Sequence, residues 1–109
     1  MAYKVLGQSN PSATTVTSLY AVPASSSTVV STIVVTNQAA SAGTYRIIVQ
    51  PAADVSGTIL AKQYIAYDSA ITANNSTMIT IGITLAASDV IKVYASSASV
   101  SFTAFGSEN

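Results

Sequence analysis

The sequence predicts an all-β chain, folded as one antiparallel β-sandwich of seven or eight short strands with an Ig-like or a jelly-roll-like topology. Three observations point there. Short runs dense in Val, Ile, Thr and Tyr alternate apolar and polar residues with period 2. Turn-forming residues interrupt these runs roughly every 8–12 residues, the spacing of a sandwich. No segment carries the apolar stripe of a helix. Both topologies give these signals, so the sequence leaves the choice between them open.

Tyr3–Gln8 reads as a short strand, broken off by Ser9-Asn10-Pro11-Ser12. A strand isolated by a proline turn can lie on its own sheet edge or on a neighbour's. Residues 1–12 are therefore set apart as an N-terminal arm or edge strand, and residues 13–109 form a single sandwich domain. The arm is expected to reach a neighbouring subunit, with Tyr3 and Val5 as candidate contacts. Ala13–Val22 is Thr-rich and alternates weakly; Pro23 and the small residues after it end it.

Thr28–Asn37 and Thr44–Gln50 should be the centre of the fold, joined by a small polar loop that ends in Gly43. In the second of these strands Tyr45, Ile47 and Val49 share one face, and Arg46, Ile48 and Gln50 the other. In the first, Ile33 and Val35 fall on one face and Val30 and Val34 on the other. That is the mark of a strand central in a sandwich or covered by another subunit.

Pro51–Gly57 is a loop by its Pro, Asp, Ser and Gly. Thr58–Tyr67 reads as a strand with Tyr64 opposite the core parity; helix propensity over Leu60–Gln63 competes, and the flanking Ile and Tyr favour strand. Asp68–Asn75 reads as a loop. Thr77–Leu85 alternates most clearly, with Ile79, Ile81, Ile83 and Leu85 inward and Met78, Thr80, Gly82 and Thr84 outward. Gly82 permits a bulge or a close neighbour there. Val90–Ala95 sends Ile91 and Val93 inward and Lys92 and Tyr94 outward. Val100–Phe105 closes the domain with Val100, Phe102 and Ala104 on one face.

Composition narrows the function. The chain has 109 residues, half of them hydrophobic, enough for one domain with a modest core. Four basic and four acidic residues give a net charge of zero. Four scattered cations cannot track a phosphate backbone, so nucleic acid is not an expected partner. A surface so poor in charge does not repel copies of itself. There is no cysteine, so neither a disulfide framework nor thiolate chemistry is available. The opening MAYKVLGQSNPS lacks an apolar signal core, and no run approaches the ~20 apolar residues of a membrane helix. Synthesis and folding in the cytoplasm, without a membrane partner, are the expectation.

The chemistry-bearing residues are few. There is no histidine for acid–base work. A Ser–Lys pair through Lys62 or Lys92 is arithmetically open, but serines are so numerous that chance proximity explains it. Asp54, Asp68 and Asp89 all fall in predicted turns, where Asp caps its own backbone rather than facing a second acid across a cleft. No metal-ligand spacing and no phosphate loop occur, so no metal and no cofactor are expected. The chain is read as non-enzymatic. Tyr64 and Tyr94, outward beside Lys62 and Lys92, read as isolated surface tyrosines, as a protein interface or, less readily, as rings for sugar stacking. Arg46, Ile48, Tyr64 and Tyr94 together form a second candidate contact face.

Two stretches resemble a known group. The opening MAYKVLGQSNPSATTVTSLYAVPASSSTVVSTIVVTNQ and the close ITLAASDVIKVYASSASVSFTAFGSEN are similar to small virion structural proteins of tailed bacteriophages, especially phages of marine and freshwater bacteria. The likeness rests on the "VLGQ" opening, the Tyr20–Pro23 step, the V-rich strand ending in "TN", and the "DVIKVYAS" close. It implies a β-sandwich located in the virion, a decoration (cement) protein that binds the major capsid protein and sits in repeated copies, or as a homo-oligomer, on a symmetric lattice. The alternatives are a tail, baseplate or fibre-associated protein, and a glycan-binding β-sandwich used in host adsorption.

Overall fold

A computed structural model describes residues 2–109. It contains eight strands: β1 (Ala2–Ser9), β2 (Thr17–Ala21), β3 (Thr28–Asn37), β4 (Gly43–Gln50), β5 (Tyr64–Ile71), β6 (Asn75–Leu85), β7 (Val90–Ala95) and β8 (Val100–Glu108). Two short 3-10 turns, Ala52–Asp54 and Ala61–Gln63, lie between β4 and β5. The strands form two antiparallel sheets, ordered β1-β8-β3-β6 (sheet A) and β2-β7-β4-β5 (sheet B). The pairs β1–β8, β2–β7, β3–β6 and β4–β5 nest inside one another, as in one long hairpin rolled up on itself. That order is the eight-stranded jelly roll, one of the two topologies left open by the sequence.

The core lies between the sheets. Val30, Ile33 and Val35 from β3 meet Tyr45 and Ile47 from β4, Ile91 and Val93 from β7, and Phe102 from β8. Tyr45 and Phe102 pack edge to face at 6.3 Å, bridging the two sheets. Side chains of this size each contribute about 1.5–3 kcal/mol when fully buried.

Bulges decide which side chains reach that core. Val30 pairs with Ile83 and Thr32 with Thr80, so Ser31 stands opposite both Ile81 and Gly82. Against β8, Ser31 is itself the extra residue; this bulge switches the inward parity of β3, and Val30, Ile33 and Val35 are all buried. Ile81 lies in the β6 bulge on the open edge strand, between the inward Ile79 and Ile83, and is 38% exposed.

The β4–β5 segment differs most from expectation. Strand structure begins at Tyr64 rather than Thr58, because Gln63 closes a turn onto Leu60. The Gln63 Oε1 accepts the Leu60 N–H at 2.9 Å, and the Gln63 N–H donates to the Leu60 carbonyl at 3.0 Å. The strand then runs through the expected loop to Ile71, with Asp68 at φ 49° in a bulge opposite Arg46. Similarly, β2 begins at Thr17 and not Ala13, since Thr14 sits at φ 54° and donates its N–H to Ala95.

The first strand lies on the edge of the chain's own sheet, antiparallel to β8. At that end Lys4 Nζ meets Glu108 Oε1 at 2.9 Å.

Candidate functional site

Two sheet faces point away from the core, and their chemistry differs. The outer face of sheet B is partly roofed by the β4–β5 connection. Lys92 Nζ donates to the Val55 carbonyl at 3.1 Å, and the Ala52 N–H donates to Asp89 at 2.9 Å. Gln50 Nε2 donates to Gln63 Oε1 at 3.0 Å under that roof. Ile48, whose register partners are Lys92 and Tyr64, is thereby fully buried. This corrects the expectation for Ile48: its parity does point it away from the main core, but a loop covers it, and it is not a surface residue.

Beyond the roof the face is aromatic. The Arg46 guanidinium sits 4.3 Å from the ring centroids of both Tyr67 and Tyr94. Asp68 holds it from the side, with Nε–Oδ1 at 2.6 Å and Nη2–Oδ2 at 3.2 Å. A fork-on-carboxylate pair fixes the plane of the guanidinium, and two ring faces fix its position. The Arg46 hydrogen bonds hold the Asp68 carboxyl below the usual carboxylate range. Tyr64 packs perpendicular to Tyr67 at 4.8 Å. Ala61, Tyr64 and Tyr67 line an open depression of about 540 Å³ beside it.

Of the residues expected on this face, the structure brings Arg46, Tyr64 and Tyr94 together. Tyr67 and Asp68 complete the cluster and were missed. Simple alternation put Tyr67 on the core side; the register slip at Ile65 turns Ala66 inward and Tyr67 outward. For Asp68 the available signal was Asp itself, a residue that tolerates positive φ better than its neighbours. Asp89, by contrast, does cap backbone, accepting the N–H groups of Ala52 and Ala86.

Tyr3 and Val5 lie elsewhere, on the outer face of sheet A. Three rungs cross that face: Tyr3-Ser107-Val29-Thr84, Val5-Phe105-Thr32-Thr80 and Gln8-Thr103-Val34-Met78. Tyr3 is 81% exposed and Met78 71%, with Val5, Val29 and Phe105 also open to solvent. The only charged residues in the four strands are Lys4 and Glu108, and they pair with each other. The face is thus apolar side chains interleaved with hydroxyls and amides. Scattered single apolar residues are ordinary on a surface, but five on one uncharged sheet face form a patch.

Among the described residues no cluster of His, Cys, Asp or Glu is arranged to hold a metal. No helix among them is long and apolar enough to cross a membrane.

No family model and no curated protein matches the chain. Among solved structures there is a match to the structure of infectious bursal disease virus Gx strain, at 11% identity and a TM-score of 0.47. The match covers 95% of this chain and 32% of that one, so the chain spans about a third of its length.

Proposed function

We propose that the chain is a non-enzymatic virion structural protein of a tailed bacteriophage, a decoration protein that binds the outside of the head and stabilises it. The observation that carries this reading is the uncharged outer face of sheet A, with Tyr3, Val5, Val29, Met78 and Phe105 open to solvent. Such a face loses little on desolvation and docks without charge matching, which suits many identical contacts on a lattice. The jelly roll adds a fold-level analogy, since viral capsid domains use it; lectins and cupins use it too. The likeness of the opening and closing stretches to phage virion proteins points the same way.

The test is electron cryo-microscopy of purified particles carrying the protein. Density spread over the head with icosahedral symmetry, and sheet A against the shell, is the expected result. Density confined to the tail, baseplate or fibre would replace the decoration role.

One observation favours a second reading, a glycan-binding module for adsorption. The depression beside Tyr64 and Tyr67 offers ring surface of the kind sugars stack on. Specific binding of the isolated protein on a glycan array, lost in Tyr67→Ala, would select it.

A further inference from the structure

Each sheet has two edges, and three of the four edge strands are blunted. β1 carries Lys4 and a register break between Val5 and Gly7. β2 has five residues and is soon followed by Pro23. β5 is broken twice in register and carries Asp68. Charges, prolines, shortness and bulges are the usual ways of keeping an edge from pairing with another chain.

β6 has little of this protection. It is the longest strand, with 11 residues, and holds neither a charge nor a proline. From Asn75 to Thr80 it pairs with β3 in unbroken register, the single bulge coming later at Ile81–Gly82. Its other side has no strand partner. The core is also thin along this edge. Ile79 and Ile83 face inward yet are only half-buried, and Ile65 on the neighbouring sheet edge is 44% exposed.

Gly82 supplies an independent sign. A Cβ added at Gly7 would overlap the Leu19 carbonyl, and one at Gly106 would overlap the Val29 carbonyl. Those glycines are required by the chain's own packing. A Cβ at Gly82 would meet nothing within 4 Å, and its φ is not positive. Gly82 lies in the β6 bulge, but among the described residues neither crowding nor a positive φ requires a glycine there. A strand glycine marks a bulge, a bend or a place where another backbone comes close, and the open space at Gly82 leaves room for such an approach.

We propose that β6 is a self-pairing edge: two copies of the chain join β6 to β6 antiparallel about a two-fold axis, fusing their sheets A into one continuous sheet. A second copy is the occupant the observations favour. The edge bears no charge and the chain's net charge is zero, so two copies meet without repulsion. Antiparallel pairing of identical strands is self-complementary, residue i facing j and j facing i. Ser76, Met78 and Thr80 then form hydroxyl and thioether cross-strand contacts, and the partner strand covers the thin edge of the core. This refines the self-association within the proposed function. It is tested on the isolated protein, so its failure leaves the virion role standing.

The experiment is sedimentation velocity over a wide concentration range, with hydrogen exchange read at the dilute and concentrated ends. Wild-type protein is expected to dimerise, with amides of Asn75–Thr80 protected only when concentrated. Met78→Lys/Thr80→Lys places like charges on the pairing edge, on the side away from the core. Gly82→Val fills the open space with a strand-favouring side chain. Both variants should keep the wild-type melting profile and weaken dimerisation at least tenfold. A wild type that stays monomeric at about millimolar concentration would overturn the proposal. So would dimer-dependent protection confined to other strands, or dimerisation unchanged in both variants.

Discussion

The Tyr20 hydroxyl donates to the Glu108 carboxylate at 2.5 Å, joining the edge of sheet B to the last residue of β8 in sheet A. The same hydroxyl lies 2.7 Å from Thr28 Oγ1, and Lys4 approaches Glu108 from the other side. One phenol therefore ties β2 to β3 and β8 at one end of the sandwich. Tyr20→Phe keeps the buried ring and removes only the tie. The buried Thr28 hydroxyl loses its partner, at a cost of about 1–2 kcal/mol. The measurement is urea unfolding of the two proteins at pH 7; a difference below about 0.5 kcal/mol would show that the tie does not matter.

That cluster also sets a pH dependence. The Tyr20 hydrogen bond first, and then Lys4, hold the Glu108 carboxyl below its ordinary value. Arg46 does the same for Asp68. A carboxyl whose folded pKa is depressed stabilises the fold fully above its unfolded value, about 3.9–4.3, and that share is lost as pH falls through the folded value. The melting temperature should be level from pH 7 to about pH 5 and fall below about pH 4. Burial and then the Glu108 hydrogen bond raise the Tyr20 phenol, so stability should also fall above about pH 10, where an unfolded tyrosine ionises. Glu108→Gln should lower the neutral plateau and flatten part of the acid limb, the two curves converging at the acid end. Equal wild-type melting temperatures at pH 3 and pH 7 would contradict the assignment.

The strands themselves were legible because alternation is a local property. β3, β4, β6, β7 and β8 lie where runs of Val, Ile and Thr put them, and the inward Tyr45, Val93 and Phe102 follow parity. Parity fails wherever a residue is inserted. The inward parity of β3 flips at the extra Ser31, and Tyr67 joins Arg46 because Ile65 is inserted in β5. A bulge costs the sequence nothing visible, since it is defined by the partner strand and not by the strand that carries it. The strand order was equally out of reach, because nested pairings such as β1 with β8 are set by packing across the whole chain. The burial of Ile48 has a third cause: alternation assigns a side chain to a face, and says nothing of which loop folds back over that face.

The covered Ile48 changes what a substitution there can report. Ile48→Asp would place an unpaired carboxylate in a fully buried position, costing at least about 3 kcal/mol. Loss of assembly in that variant would therefore reflect unfolding. The roof is held by Gln63, which accepts from both Leu60 and Gln50. Gln63→Leu should cost about 2 kcal/mol by orphaning these donors, and should open residues 51–63 to limited proteolysis. Gln50 is different, because its own Oε1 is buried without a partner. Gln50→Leu removes that unpaired atom together with one hydrogen bond, and should leave stability within about 1 kcal/mol of wild type. Equal losses in the two variants would mean that the roof is not pinned at Gln63.

Glycine positions give the sharpest separation between what the fold requires and what it merely permits. Gly106 lies opposite Val30 in β8, with β1 on one side and β3 on the other. A Cβ there would overlap the Val29 carbonyl oxygen and stand 2.9 Å from Val30 Cα, both backbone atoms that cannot swing aside. Relief requires β8 to move away from β3, at the point where Ser31 already bulges and donates to the Phe105 carbonyl. Gly106→Ala should therefore cost at least about 3 kcal/mol, at or beyond the top of the overpacking range. Gly82→Ala meets open space and should fall within about 0.5 kcal/mol of wild type, since an unstrained alanine also restricts the unfolded chain. Paired chemical denaturation of the two variants, under conditions where the protein is monomeric, reads this difference directly. Similar costs at both positions would mean that β8 can shift past β3 without disturbing the ladder between them.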